Sequence, residues 1–219
     1  MHIDYRDHLP AEFRIPAVCL YMHALRNKLL PVLGREDKAH QVFAKNLALD
    51  HCLTAFYNQK LIGILGIQTK EGGFWNPTLK SLIDEYRLMG GLYRFGGLYF
   101  LHHEAGVDEW YIDGIAVMEE MRGLGIGSGL LGLLEDIAKE KGVRKLSLEV
   151  VDTNQRARVL YERKGFVETE RKTLWPFNHI YNFPFKSVFQ MVKRLSGPET
   201  KIMAGNSSLR VRSEINSRS

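Results

Sequence analysis

The sequence predicts a single domain built on one mixed α/β sheet, and three observations lead to this prediction. The chain has 219 residues, of which 45% are hydrophobic, 11% aromatic and 25% charged, which is ordinary globular composition. A chain of this length can bury a substantial core without disulfides or metals. Apolar segments typical of strands outnumber helical patterns and alternate with them only in the second half. Wholly disordered, collagenous and disulfide-scaffold proteins are excluded.

Two helices are predicted at the start of the chain. Apolar residues recur every three and four positions over 16–33, and Pro31 and Gly34 then end the pattern. A second amphipathic pattern covers 35–49. In the second pattern Ala39, Val42, Phe43 and Leu47 share one face.

A hairpin and an insertion follow. Apolar runs over 51–57 and 61–69, joined by Asn58-Gln59-Lys60, predict two paired strands. Residues 71–106 contain three glycine pairs around a short helical pattern at 79–88. We interpret 71–106 as an insertion between strands, long enough to shape a binding site or a lid.

The second half has the sharper pattern. It predicts strands over 111–117, 145–151, 166–172 and 187–193, and helices over 125–141 and 154–164. Gly165 stands where a helix ends in a left-handed residue. Residues 1–195 are expected to form the domain, and 196–219, rich in Ser, Gly, Asn and Arg, a polar mobile tail.

Charge and cysteine content limit the partners and the compartment. The net charge is +5, but 196–219 supply four basic and two acidic side chains, and the body has no block of Lys and Arg. This argues against a nucleic-acid partner and suits a polyanionic small ligand. No apolar run is long enough for a membrane span, and residues 1–10 are too polar for a signal peptide. With Cys19 and Cys52 as two buried thiols, a cytoplasmic protein without a membrane partner is expected.

A glycine-rich turn between a predicted strand and helix is the strongest chemical signal. Residues 121–129 read Met-Arg-Gly-Leu-Gly-Ile-Gly-Ser-Gly. The first turn of a helix has free N–H groups and the positive end of its dipole, so it binds anions. Glycines let a phosphate approach the backbone, and Arg122 adds a positive charge beside it. A Walker A loop is excluded because no Lys-Ser/Thr pair follows the last glycine.

A dinucleotide fingerprint is the alternative interpretation of the same segment. Residues 127–132 match G-x-G-x-x-G, and Glu149 follows at a plausible distance for binding a ribose. That fingerprint opens directly after its strand, whereas the strand here is predicted to end near Val117. The match is therefore expected to fall inside the helix, and a dinucleotide-dependent oxidoreductase is the weaker alternative.

Two blocks resemble the GNAT family of N-acetyltransferases. Arg122-Gly123-Leu124-Gly125-Ile126-Gly127 fits Arg/Gln-x-x-Gly-x-Gly/Ala, which is similar to the family's acyl-CoA-binding signature. Asn154 to Phe166 is similar to the motif that follows it, with Asn154, Ala157, Tyr161 and Gly165-Phe166 at matching spacing. Together the blocks cover residues 110–169, roughly a quarter of the chain. The resemblance implies a mostly antiparallel sheet in which a splayed parallel strand pair is flanked by helices.

The resemblance also implies acetyl-CoA as a co-substrate and no metal. The backbone of 115–117 would pair with the pantetheine, the N–H groups of 123–128 would hold the pyrophosphate, and Asn154 would hydrogen-bond the pantetheine. The implied cofactor-binding residues are Ile115, Ala116, Val117, Arg122, Gly123, Leu124, Gly125, Ile126, Gly127, Ser128 and Asn154. The resemblance further implies that a backbone N–H at Val117 or nearby polarises the acetyl carbonyl.

Three residues are candidates for the chemistry of transfer to a primary amine. Tyr161 lies seven residues after Asn154 on nearly the same helix face and is expected to protonate the leaving thiolate. Glu149, near the end of its strand, resembles the base of members acting on protein N-termini. Asp113 matches the base position of histone-type members. Both carboxylates stay candidates, with Glu149 ranked slightly ahead, although either is also compatible with a surface ion pair.

The acceptor and the partners stay open at this level. A protein N-terminus and a small-molecule amine are comparable acceptors, and the resemblance allows a homodimer. Neither cysteine lies near the motifs, so direct transfer in a ternary complex is expected; a CoA-binding domain without turnover is the alternative. His102-His103-Glu104 is interpreted as a turn rather than a metal site. The aromatic segment 175–185 is expected to form a substrate wall.

Overall fold

The chain folds around one mixed sheet, seen in a computed structural model that describes residues 1–103 and 105–196. Residues 197–219 of the predicted tail lie outside the described residues. Within the described part the strands are β1 (Asp4–Arg6), β2 (Cys52–Tyr57), β3 (Lys60–Gln68), β4 (Glu109–Val117), β5 (Lys145–Val151), β6 (Val167–Thr173) and β7 (Ser187–Arg194). Their order is β1-β2-β3-β4-β5-β7-β6. Every neighbouring pair is antiparallel except β4–β5, which is parallel. The predicted fold class is confirmed.

Helices cover both faces of the sheet. They are α1 (Arg14–Ala24), α2 (Arg26–Leu33), α3 (Glu36–Lys45), α4 (Leu79–Leu101), α5 (Ile126–Glu140), α6 (Gln155–Arg163) and the short α7 (Phe177–Ile180). The helices α5 and α6 bury one apolar cluster against the sheet, and α1 to α4 bury another on the opposite face. No helix within residues 1–103 and 105–196 has the length and apolarity to cross a membrane.

The hairpin β2–β3 forms as predicted, with a tighter turn. Asn58 and Gln59 both have positive φ, at 46° and 62°. Two consecutive positive φ values are typical of the two-residue turn that matches strand twist. Lys60, predicted in the turn, therefore starts β3.

The single helix predicted over 16–33 is wrong, because the chain turns at Leu25 between α1 and α2. Pro31 lies inside α2, which ends at Leu33, before Gly34 with φ 78°. A Cβ on Gly114 of β4 would lie 2.7 Å from Leu25 Cδ1 and 2.9 Å from Tyr21 Oη. The bare backbone of Gly114 thus lets the α1–α2 break press against the sheet. The second helix is also shorter than predicted, since α3 ends at Lys45.

The insertion 71–106 is mostly one long helix. The helix predicted over 79–88 is therefore too short, because α4 extends to Leu101. The 23 residues of α4 continue through two glycine pairs and are kinked at Arg87, where φ is 63° and ψ is 173°. A Cβ on Gly97 would lie 2.7 Å from Val32 Cγ1 and 2.6 Å from Tyr181 Cε1. Gly97 is therefore needed for the close packing of α4 on Val32 and Tyr181, and it does not mark a loop.

The two cysteines differ, which corrects the prediction of two buried thiols. Cys19 is exposed on α1, whereas Cys52 is buried on β2. Burial raises the pKa of the Cys52 thiol to about 12, so this thiol stays protonated and unreactive at neutral pH.

Two glycines of α5 offer a matched test of close packing. A Cβ on Gly129 would collide with the Tyr5 phenol, whereas a Cβ on Gly132 would meet no atom of the described residues within 4 Å. We expect Gly132→Ala to raise the free energy of unfolding by about 1 kcal/mol, the helix propensity gained. Gly129→Ala should lower it by about 1 kcal/mol or more, because overpacking outweighs propensity. Urea unfolding of both variants measures this; equal shifts would contradict the packing at Tyr5.

Candidate active site

The parallel strands β4 and β5 separate part-way along the sheet. Their pairing runs from Glu109–Lys145 to Ile112–Leu148 and stops there, although β4 continues to Val117. The Met118 N–H donates to the Ile62 carbonyl of β3 at 2.9 Å. Since backbone groups alternate sides along a strand, the N–H groups of Ile115 and Val117 point into the gap. The gap therefore presents a free strand edge.

A β-bulge sits at the start of this gap. Gly66 of β3 pairs with Gly114 and Ile67 pairs with Ile112, so Asp113 is an extra residue in β4. Two residues apart in a regular strand, Asp113 and Ile115 would share a face. With the bulge they face opposite sides: Asp113 lies against α1, and Ile115 packs on the core under α5.

The glycine turn takes the backbone from β4 into α5. Gly123 and Gly125 have φ of 84° and 82°. This left-handed backbone conformation is strained in residues that have a Cβ. The first helical N–H bonded in the usual pattern is that of Gly129, to the Gly125 carbonyl at 2.9 Å. The preceding N–H groups of residues 126–128 are therefore available to an anion at the helix N-terminus.

A cavity of 810 Å³ joins the gap, the turn and α6, and we call it the glycine-turn cavity. Nine of the eleven predicted cofactor-binding residues line it: Ile115, Val117, Arg122, Gly123, Gly125, Ile126, Gly127, Ser128 and Asn154. Ala116 instead points into the core on the opposite face, and Leu124 is 54% exposed outside the lining. Ala116 lies on the other face because side chains alternate along a strand. Leu124 points outward because the turn directs its side chain away from the cavity.

Three guanidinium groups surround this cavity, and among the described lining residues none is acidic. Arg122 also donates from Nε to the Val117 carbonyl at 3.2 Å, which fixes the turn against β4. The sequence prediction omitted Arg156 and Arg163. They lie seven residues apart, so the helical period of α6 could have found them. The cavity is positively charged and suits a polyanion.

Asn154 caps α6, which limits the role predicted for it. Its Oδ1 accepts a hydrogen bond from the Ala157 N–H at 3.1 Å, as Asn does at many helix N-termini. The remaining Nδ2 group is the part of the side chain that can donate to a bound molecule.

Tyr161 is buried, 7% exposed, and lies on the wall of the glycine-turn cavity. Its ring packs edge-on against Phe166 with centroids 5.9 Å apart. Burial raises the pKa of Tyr161 to about 12. The phenol therefore stays protonated through the physiological range.

Asp113 lies in a second cavity, of 310 Å³, between the α1–α2 break and the second half of α4. We call it the α4 cavity. Burial raises the pKa of Asp113 to about 6, although Lys28 and His51 oppose the shift. Asp113 has no ion-pair partner within 4 Å among the described residues. The α4 cavity and the glycine-turn cavity share no lining residue, but the same two segments supply both: Leu25 and Asp113 line the first, and Ala24 and Ile115 line the second.

Glu149, unlike Asp113, is paired with a lysine. Its Oε1 accepts from Lys172 Nζ at 3.1 Å, and it lines a third cavity, of 240 Å³. The sequence alternative of a surface ion pair thus applies here, with Lys172 as the partner. The third cavity shares Lys28, Leu101 and His102 with the α4 cavity.

No group of three metal-ligating side chains occurs among residues 1–103 and 105–196, and Glu104 lies outside the described residues. His103 stacks on Tyr111 with ring centroids 4.3 Å apart, and its Nε2 lies 3.5 Å from Glu109 Oε1. Burial raises the pKa of Glu109, but hydrogen bonds from Lys145, Ser147 and the Gly106 N–H outweigh it and leave the pKa lowered. This network ties the end of the α4 segment to the sheet.

The aromatic segment 175–185 is divided between core and surface, since Trp175, Phe177 and Ile180 are exposed. Tyr181, Phe183 and Phe185 form a third apolar cluster with Val32, Leu174 and Val188, against the end of α4. Only Phe185 of the three lines the third cavity. The segment therefore positions α4.

The dinucleotide fingerprint at 127–132 lies entirely within α5 and begins ten residues after β4 ends at Val117. Its glycines therefore do not form the turn at the strand end that a dinucleotide site requires.

Comparison with known families agrees with the resemblance seen in the sequence. The model of the acetyltransferase (GNAT) family matches residues 20–166, about two thirds of the chain. The chain belongs to the GNAT family. The sequence resemblance, which rested on residues 110–169, is confirmed and extends to the N-terminal helices and hairpin.

Two relatives show how far this similarity reaches. A ribosomal protein bS18-alanine N-acetyltransferase of Haemophilus influenzae is 45% identical over 71 residues, 32% of this chain and 48% of that protein. A thialysine N-epsilon-acetyltransferase of Bos taurus is 33% identical over 89 residues, 41% of this chain and 51% of that protein. The matches thus span about half the length of these GNAT relatives.

Solved structures share the fold over nearly the whole chain. An N-acetyltransferase from Staphylococcus aureus Mu50 superposes with a TM-score of 0.62 at 22% identity, covering 87% of this chain and 100% of that one. A GNAT family acetyltransferase from Elizabethkingia anophelis with acetyl-CoA bound gives a TM-score of 0.54 at 17% identity, covering 88% and 98%. At these identities the likeness concerns the GNAT fold.

Proposed function

We propose that this GNAT protein is an acetyl-CoA-dependent N-acetyltransferase that transfers the acetyl group directly to a primary amine, with 1–195 as its catalytic domain. The observation that carries the proposal is the glycine-turn cavity. It combines the free edge of β4, an open helix N-terminus, three arginines and a buried phenol. A second cavity contains the carboxylate of Asp113, two residues before Ile115 on the same strand.

The cavity suits the parts of acetyl-CoA. The N–H groups of Ile115 and Val117 would pair with the pantetheine amides as an added strand does. The N–H groups of 126–128, with Arg122, Arg156 and Arg163, would bind the phosphates. Bound there, acetyl-CoA supplies an activated thioester; the protein supplies charge, orientation and proton transfer.

Asp113 is the base we propose. A carboxylate at its usual pKa takes a proton from an ammonium of pKa near 10 only against about 9 kcal/mol. A pKa near 6 reduces this gradient by about 3 kcal/mol. Glu149 is paired with Lys172, so we rank Asp113 ahead of it in this proposal.

Tyr161 donates a hydrogen bond to the leaving sulfur in this proposal. Complete transfer from a phenol of pKa about 12 to a thiolate of pKa near 8.5 is uphill by about 5 kcal/mol. The phenol therefore stabilises the developing thiolate without losing its proton, and solvent completes protonation after the sulfur departs.

The transfer balances with these groups. The amine nitrogen bonds to the carbonyl carbon, while the Val117 N–H hydrogen-bonds the oxygen as its charge develops. Asp113 takes one proton from the ammonium, which gives the neutral amine that attacks. After the carbon–nitrogen bond forms, the nitrogen loses its second proton to solvent, and the carbon–sulfur bond breaks to release CoA, whose thiolate takes a proton from solvent. Direct transfer is supported because neither Cys19 nor Cys52 lines the three cavities described.

The acceptor is an amine, and the named relatives offer two kinds. One acts on the alanine of a ribosomal protein and another on thialysine. A protein N-terminus and a side-chain or small-molecule amine therefore both belong to the proposal.

Calorimetric titration with acetyl-CoA, with NADH as the control ligand, tests the cofactor site. We expect micromolar binding of acetyl-CoA and none of NADH. Gly127→Asp should weaken acetyl-CoA binding at least about tenfold, because a carboxylate would occupy the anion site while remaining compatible with a helix N-terminus. Gly132→Ala, in the same helix outside the cavity, is the matched control. Unchanged binding in Gly127→Asp, or binding without release of CoA to any amine, would contradict the proposed function.

A further inference from the structure

The α4 cavity has an apolar, aromatic wall that catalysis alone does not require. Tyr21 and Trp75 form part of it, and Phe95 and Tyr99 lie on α4 at its edge. Phe95 is 39% and Tyr99 70% exposed. Large exposed aromatic side chains grouped at a cavity are typical of a ligand site, since a ligand would remove them from water.

The charges of this cavity are few and unequal. Among its described lining residues, Asp113 is the one carboxylate, and Lys28 places an ammonium on the same wall. Lys28 is close enough to lower the pKa of Asp113 against the effect of burial. A ligand with one ammonium group can pair with Asp113, whereas a second ammonium would find no second carboxylate and would be repelled by Lys28.

Resting on the function proposed above, we propose that the acceptor is a primary amine on an aromatic or aliphatic body that carries no second positive charge. Its body lies against Trp75, Phe95 and Tyr99, and its nitrogen faces Asp113. The 310 Å³ volume is at the lower end of small-ligand sites, which fits one ring or a short branched chain. Polyamines are excluded as preferred acceptors.

Calorimetry on the full-length protein loaded with CoA tests binding without turnover. Pentylamine and 1,5-diaminopentane have the same length and differ by one ammonium group, and phenethylamine adds a ring. We expect the two monoamines to bind at least about tenfold more tightly than the diamine. Equal or tighter binding of the diamine, or no binding of either monoamine at millimolar concentration, would overturn the inference.

Two variants examine the wall and the charge separately. Lys28→Met should reduce the preference for pentylamine over the diamine severalfold, while Lys60→Met, at the hairpin turn, should not change it. Phe95→Ala should weaken phenethylamine binding, while Leu92→Ala, exposed on the same helix outside the cavity, should not. An unchanged preference in Lys28→Met together with unchanged affinity in Phe95→Ala would place the amine elsewhere.

Binding of the C-terminally amidated dipeptide Phe-Ala distinguishes two kinds of acceptor in this class, an apolar protein N-terminus and a small amine. Tighter binding of the dipeptide than of phenethylamine supports an apolar protein N-terminus, and the reverse supports a small amine; both fit the proposed class. Thiol release then separates the two proposals. Selective monoamine binding without release would refute the N-acetyltransferase function alone, whereas faster release with the diamine would refute the acceptor class alone.

Discussion

Asp113→Asn is expected to lower kcat/KM for an accepted amine at least about 100-fold at pH 7.5, the usual contribution of a general base. In the wild-type protein kcat/KM should rise with pH through an apparent pKa near 6, because the ionised carboxylate accepts the proton. The Asn variant should lack this limb. Steady-state thiol release between pH 5 and 8.5 measures both.

The same substitution should make the protein more stable at neutral pH. The folded pKa of about 6 exceeds the reference value of 3.8, so the folded state binds more protons between these values. The free energy of unfolding contributed by this group is therefore present below pH 4 and is lost as the pH rises through 6. Asn removes that loss, so we expect a gain on the order of 2 kcal/mol at pH 7.5 and little gain near pH 4. Urea unfolding at both pH values measures it.

Glu149→Gln is the matched control for the base. It neutralises the partner of Lys172 without touching the α4 cavity, so we expect less than about a fivefold loss of kcat/KM. A large loss in Glu149→Gln with an active Asp113→Asn would reverse the assignment and restore the ranking that the sequence suggested.

Tyr161→Phe is expected to lower kcat at least about tenfold, because it removes a hydrogen bond made mainly when the thiolate leaves. Acetyl-CoA affinity should change little, since the ring and its packing against Phe166 stay in place. The wild-type profile should also show no alkaline loss below about pH 10, because the phenol stays protonated. Rapid-mixing kinetics of thiol release and calorimetry measure these quantities.

Tyr57→Phe is a suitable comparison for this variant. Tyr57 packs against the same core but lies outside the glycine-turn cavity, so kcat should stay near the wild-type value. An unaltered kcat in Tyr161→Phe would rule out the proposed role, and a large loss of acetyl-CoA affinity would indicate a binding role instead.

Local sequence determined the strand–turn–helix unit. Positive φ at Gly123 and Gly125 favours residues without a Cβ, and helix α6 is capped by Asn154 and followed by the left-handed Gly165. Each of these features depends on neighbours a few residues away, so one sequence suffices to recognise it. For the same reason the bounds of β5 were predicted without error.

Contacts between distant segments decided the rest. Gly97 lies inside a helix because it packs on Val32 and Tyr181, and the chain turns at Leu25 where Gly114 admits it. The bulge at Asp113 exists only in the pairing of β3 with β4, and it turns Asp113 and Ile115 to opposite faces. The ranking of Asp113 and Glu149 depends on desolvation by α1 and α4 and on the ion pair with Lys172. Sequence spacing thus determined the family and the glycine-rich turn, whereas burial and pairing across the sheet, which have no local signature, decided the different environments of the two carboxylates.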